Sequence, residues 1–127
     1  MLGQPPESVR GQAAACLAQS AGRDTVDKLQ TASCLLTAAV ARRLDSSHAH
    51  ALCTLALTLA KRELAILAPV QAAAEGRLDG LAAALADESV PNVRHVAITI
   101  LTYHLHLLGT LSGGDAAAAI VAEVWPS

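Results

Sequence analysis

The chain has 127 residues, 53% of them apolar and 16% charged, with a formal net charge of -2. Such a balance excludes a disordered charged tail, which is poor in apolar residues, and the length suits one domain over 1–127 rather than two. There are 28 Ala and 20 Leu but one Trp, one Tyr and no Phe, so helix formers abound, aromatic strand formers are nearly missing, and the expected fold class is all-α.

Turn residues divide the chain into helices. Pro5-Pro6 precedes a first helix over about residues 7 to 20, which Gly22 ends. Asp24 or Thr25 caps a second that runs to about Leu44, because an Asp or Thr oxygen accepts from the free amides of a first turn. Asp45-Ser46-Ser47 breaks the chain, and Ser46 or Ser47 caps a third helix to about Leu67, before Pro69. A fourth helix, interrupted near Gly76 and Gly80, ends around Ala86. The turn Asp87-Glu88-Ser89-Val90-Pro91 leads into a fifth from Pro91 to about Leu108, closed by Gly109. Gly113-Gly114 turns the chain once more, and Asp115 caps a short last helix before Pro126.

Helix faces carry more information than these boundaries. On the fifth helix His95, Thr99, Thr102 and His106 share a narrow polar stripe, while Val96, Ile100, Leu101, His104, Leu107 and Leu108 lie on the apolar side. A helix apolar over most of its girth is enclosed by neighbours on several sides, in a bundle or in a stacked array. An internal echo favours the array. Val9, Arg10, Ala13, Cys16 and Leu17 return, 84 residues on, as Val93, Arg94, Ala97, Ile100 and Leu101. That offset is twice 42, within the roughly 40 to 47 residues of HEAT and armadillo periods.

The segment Leu81-Ala82-Ala83-Ala84-Leu85-Ala86-Asp87-Glu88-Ser89-Val90-Pro91-Asn92-Val93-Arg94-His95-Val96-Ala97 resembles the heart of a HEAT repeat. The likeness covers about residues 78 to 108, is partial over 5 to 20, and is weak between, where the positions offset by 42 (Ala51, Leu52, Leu55, Thr58 and Leu59) lack Val-Arg. It implies a short, right-handed stack of antiparallel helix pairs, with an irregular five- or six-helix bundle as the alternative. In that family an acidic turn caps the second helix and an arginine reaches the acid, roles that fall here to Asp87 or Glu88 and Arg94.

Chemistry is sparse. His48 and His50, like His104 and His106, stand two apart on a helix and so on opposite faces, whereas a metal pair needs a spacing of three or four. No metal or cofactor is expected, and no catalytic motif is present: the chain lacks H-E-x-x-H, a phosphate loop and G-x-S-x-G. His104 reads as a core histidine held by one hydrogen bond. Cys16, Cys34 and Cys53, with no C-x-x-C, read as reduced thiols in an intracellular protein, cytoplasmic or nuclear.

Partners are bounded in the same way. A slightly acidic chain with few aromatics lacks the footprint of a nucleic-acid binder, and Arg42-Arg43 and Lys61-Arg62 read as solvated helix ends. The uncharged, strongly hydrophobic run Ala49 to Ala60 has twelve residues, ends at Lys61-Arg62, and is too short to span a membrane. The first residues show no basic-then-apolar secretory leader. The expected function is a non-catalytic protein-interaction or scaffold module, working through a protein partner or self-association. His95, Thr99, Thr102 and His106 form its candidate contact surface. The alternative is a compact bundle that binds a small apolar ligand, or acts as an enzyme, through a core pocket near His104.

Overall fold

The computed structural model describes residues 5–126; Met1–Gln4, on which the reading of a missing leader partly rests, lie outside them. Three helices follow one another first: α1 (Glu7–Gln19), α2 (Thr25–Arg43) and α3 (Ser46–Glu63). Asp24 starts α2 by accepting from the Asp27 N–H at 2.9 Å. At α3 the cap is Asp45, not Ser46 or Ser47, and it accepts from the His48 N–H at 2.6 Å. A charged acceptor one residue earlier wins because its carboxylate also complements the positive helix end.

The stretch expected as an interrupted fourth helix is mostly irregular. Past Glu63 come a 3₁₀ turn at Ala65–Leu67, a two-residue antiparallel ladder of β1 (Gln71–Ala72) with β2 (Leu78–Asp79), and a second 3₁₀ turn at Ala74–Gly76 between them. Gln71 faces Asp79 and Ala72 faces Leu78. Only one helical turn follows, α4 (Leu81–Ala84). The physical reason lies on α2. Gly76 has φ 81°, and a Cβ there would sit 2.5 Å from Thr37 Oγ1 and 2.6 Å from the Ser33 carbonyl oxygen. The turn is pressed onto α2, an approach only glycine permits, and Ser33 Oγ locks it by donating to the Gly76 carbonyl at 2.7 Å.

The longest helix is α5 (Val90–Ser112), capped by Ser89, whose Oγ accepts from the Asn92 N–H at 3.3 Å. It runs through Gly109 rather than ending there, and α6 (Gly114–Val124) begins after a break at Gly113, φ 91°, with Asp115 in its first turn rather than at its cap. Every side chain from Val96 to Leu105 is buried. Their neighbours are α1, α2, α3 and α6, all of which pack on α5. The all-α expectation holds, with one two-residue ladder beside the helices. At the far end Trp125 Nε1 donates to Ser20 Oγ at 3.1 Å, a buried bond that closes the chain onto the end of α1. Arg42 and Arg43 of α2 both pair with Glu123 of α6, and the Arg42 hydrogen bond holds the Glu123 carboxyl below the usual carboxylate range.

Candidate functional site

The polar stripe of α5 is where α1 sits. Thr99 and Thr102 are 1% and 4% exposed, and each hydroxyl donates to the carbonyl four residues back, His95 O at 2.8 Å and Ile98 O at 2.6 Å. Arg10 of α1 crosses the stripe, with Nη1 donating to Thr99 Oγ1 at 3.4 Å and Nη2 to His95 Nδ1 at 2.9 Å. A guanidinium only donates, so Nδ1 accepts and the ring proton sits on Nε2. Two members of the expected contact surface are therefore covered by the chain's own first helix. His95 stays exposed, and His106 is half-buried in a groove between α1, α5 and α6.

Beside Thr99 and Thr102 lies a small polar cleft of about 100 Å³, walled by Arg10, Glu63 and Tyr103. The Tyr103 hydroxyl donates to Glu63 Oε2 at 2.6 Å. Burial of the ring, then the hydrogen bond and charge of Glu63, push the phenol up to about 12.

The expected pairing of Arg94 with a turn acid does not form. Arg94 is exposed and enters no ion pair among the described residues; Asp87 is exposed too, and Glu88 instead accepts from Asn92 Nδ2 at 3.1 Å. Capping falls to Ser89, whose hydroxyl stands three residues before the amide it satisfies. His104 is fully buried, its Nε2 has no hydrogen-bond partner, and burial lowers its pKa to about 4. The one hydrogen bond expected to hold the ring is not made at Nε2, and His104 lines neither the groove between α1, α5 and α6 nor the cleft beside Thr99 and Thr102. All three cysteines are free thiols, Cys16 and Cys53 buried and Cys34 half-buried, and burial raises each. Among the described residues no three His, Cys, Asp or Glu side chains converge as a metal set would, and no helix is long and apolar enough to cross a membrane.

A larger surface feature is the groove of about 630 Å³ where the start of α2 meets the α4–α5 turn. Leu85 forms its buried floor, Val26 and Val93 its half-buried sides, and Val90 its lip, 77% exposed. Asp24, Asp27 and Glu88 rim it against one guanidinium, Arg23, which pairs with Asp27 at 3.2 Å. Helix geometry puts the acids there: two belong to the capped first turn of α2 and one to the residue before the α5 cap.

No protein-family model, curated protein or solved structure matches this chain. Geometry alone therefore carries the assignment of these surfaces. Sequence reasoning missed this groove because its two walls are some sixty residues apart in the chain. The one signal that pointed to it was Val90, an aliphatic residue placed among Asp, Glu, Ser and Pro.

Proposed function

We propose that this chain is a non-catalytic protein-interaction module whose partner surface is the acid-rimmed groove between the start of α2 and the α4–α5 turn. The observation that carries the reading is Val90. Its side chain stands 77% in water at the edge of an apolar floor, where covering it would remove apolar surface from solvent and favour association. Three carboxylates around that floor select for a partner segment with aliphatic side chains flanked by Lys or Arg. The free thiols fit a reducing, intracellular setting.

Support for a HEAT-type origin of residues 78–108 comes from the sequence of the turn and the Val-Arg that follows it. The one-turn α4 gives that segment no first helix long enough to pair with α5, so the module proposed here is a bundle that presents a groove rather than a stacked array.

Selection from a displayed random-peptide library tests the proposal. Wild-type protein should enrich peptides with basic residues beside aliphatic ones, and their binding should weaken with salt. Val90→Asp should reduce affinity by about tenfold or more, and Glu88→Lys should do likewise. Peptides that bind the Val90→Asp protein as tightly as wild type, or no enrichment at all, would overturn it.

A further inference from the structure

Among the described residues the large apolar side chains left in water are Leu35, Leu44, Val90 and Leu111. Leu35 lies midway along α2, and the other three fall at two opposite ends. α2 and α5 both begin at the acid-rimmed groove, with Asp24 and Asp27 on one wall and Val90 and Val93 on the other. They run 19 and 23 residues from it, which at about 1.5 Å per residue puts their far ends roughly 30 Å away. There His48 Nε2 and Ser112 Oγ meet at 3.2 Å and tie the start of α3 to the last turn of α5. Leu44 stands in the two-residue link between α2 and α3, 45% exposed, and Leu111, one residue before Ser112, is 51% exposed.

We propose that this chain associates head to tail with copies of itself, the Leu44 end of one copy entering the Val90 groove of the next. The inference rests on the groove being the partner surface, and it names the partner as a second copy.

Charge supports that pairing. At the groove, Asp24 is drawn to the first turn of α2 and Asp27 is paired with Arg23. Glu88 meets only the neutral Asn92 amide, so one full negative charge is left there. At the far end, Asp45 is drawn to the first turn of α3. Arg42 and Arg43 share the single carboxylate of Glu123, so one guanidinium charge is left over. Leu44 directly follows that arginine pair in the chain, which is the aliphatic residue beside Arg that the groove selects. Groove and Leu44 end are different surfaces, so each contact leaves one of each unfilled, and association continues past two copies.

Sedimentation velocity of the whole chain over a concentration series tests this. The mean mass should climb past two copies, with a Kd on the order of 100 μM for a contact this small, and should fall with added salt. Leu44→Asp and Val90→Asp, both at exposed positions, should each weaken association by about tenfold or more. An equimolar mixture of the two should form a 1:1 pair and stop there. Only the first variant then has an intact groove, and only the second an intact Leu44 end. Helical circular dichroism equal to wild type reports that both fold; if Leu44→Asp does not, Arg43→Glu takes its place in the mixture. The inference falls if wild type stays monomeric at about 1 mM, ten times that Kd. It falls equally if Leu44→Asp associates as wild type does, or if the mixture stays monomeric. Peptide selection with Leu44→Asp tells the two readings apart. Enrichment of basic and aliphatic peptides without self-association of wild type overturns the head-to-tail contact alone, whereas loss of both overturns the groove as well.

Discussion

The Gln30 side-chain amide binds both backbone groups of Leu78: Nε2 donates to the Leu78 carbonyl at 2.7 Å, and Oε1 accepts from the Leu78 N–H at 3.0 Å. One side chain on α2 thus takes the place of a strand neighbour for β2, whose ladder with β1 is only two residues long. Leu78 itself is buried, so its polar backbone has little water to fall back on. Gln30→Ala should therefore destabilise the protein by about 1 to 3 kcal/mol, as expected for leaving a buried donor and acceptor without partners. Urea unfolding measures the loss, and faster hydrogen exchange at the Leu78 amide should accompany it. An unchanged midpoint would mean that solvent replaces the amide at no cost.

Helical class and most helix starts were legible because they depend on local chemistry: Pro5-Pro6 before α1, Asp24 before α2, and the polar turn before α5. The ladder at residues 71–79 was not legible. It exists because Gln30 and Ser33, more than forty residues earlier, bond its backbone, and no local propensity signals that. The polar stripe of α5 misled for a similar reason. Threonines that bond their own helix carbonyls are satisfied without water, so a polar face can be an interior one. The echo of Val9-Arg10 in Val93-Arg94 was visible, but among the described residues only the first arginine meets a partner. Which copy does so depends on where α1 crosses α5, and that is set by packing.

His104 makes stability depend on pH. Its folded pKa, about 4, lies below the unfolded value of about 6.5 because burial disfavours the imidazolium. Between those values the unfolded chain binds a proton that the folded one does not. The contribution is thus fully present above about pH 6.5 and is lost as pH falls toward 4. The slope reaches about 1.4 kcal/mol per pH unit for one proton. His104→Leu, which also removes the unpartnered Nε2, should flatten the difference between unfolding at neutral and mildly acidic pH. Equal slopes in wild type and variant would show that other groups set the dependence.

Tyr103 is the only tyrosine, so the ultraviolet absorbance of tyrosinate reports this side chain alone. Its ionisation should have a midpoint near 12 in the folded protein. A phenol raised above its unfolded value of about 10 stabilises the fold below that pH, and the contribution disappears as pH rises through the folded value. Glu63→Gln removes the carboxylate charge that opposes ionisation and should bring the midpoint down. Tyr103→Phe should destabilise by about 1 to 2 kcal/mol at neutral pH through loss of a hydrogen bond to a charged acceptor.

The two Val-Arg copies make opposite predictions. Arg10 bridges α1 to His95 and Thr99 of α5, so Arg10→Ala should lower stability by about 1 kcal/mol. Thr99 still bonds the His95 carbonyl afterwards, which is why the loss stops short of a fully unpaired buried group. Arg94 is exposed and enters no ion pair among the described residues, and Arg94→Ala should stay within about 0.5 kcal/mol of wild type. A double-mutant cycle of Arg10→Ala with His95→Ala isolates the interhelix bond, with a coupling of about 0.5 kcal/mol or more expected for residues in contact. The same cycle with Arg94→Ala in place of Arg10→Ala should give none. A reversed order, with Arg94 the costly copy, would mean that the second Val-Arg reaches its turn acid as in a HEAT repeat and that α1 is not held to α5 through Arg10.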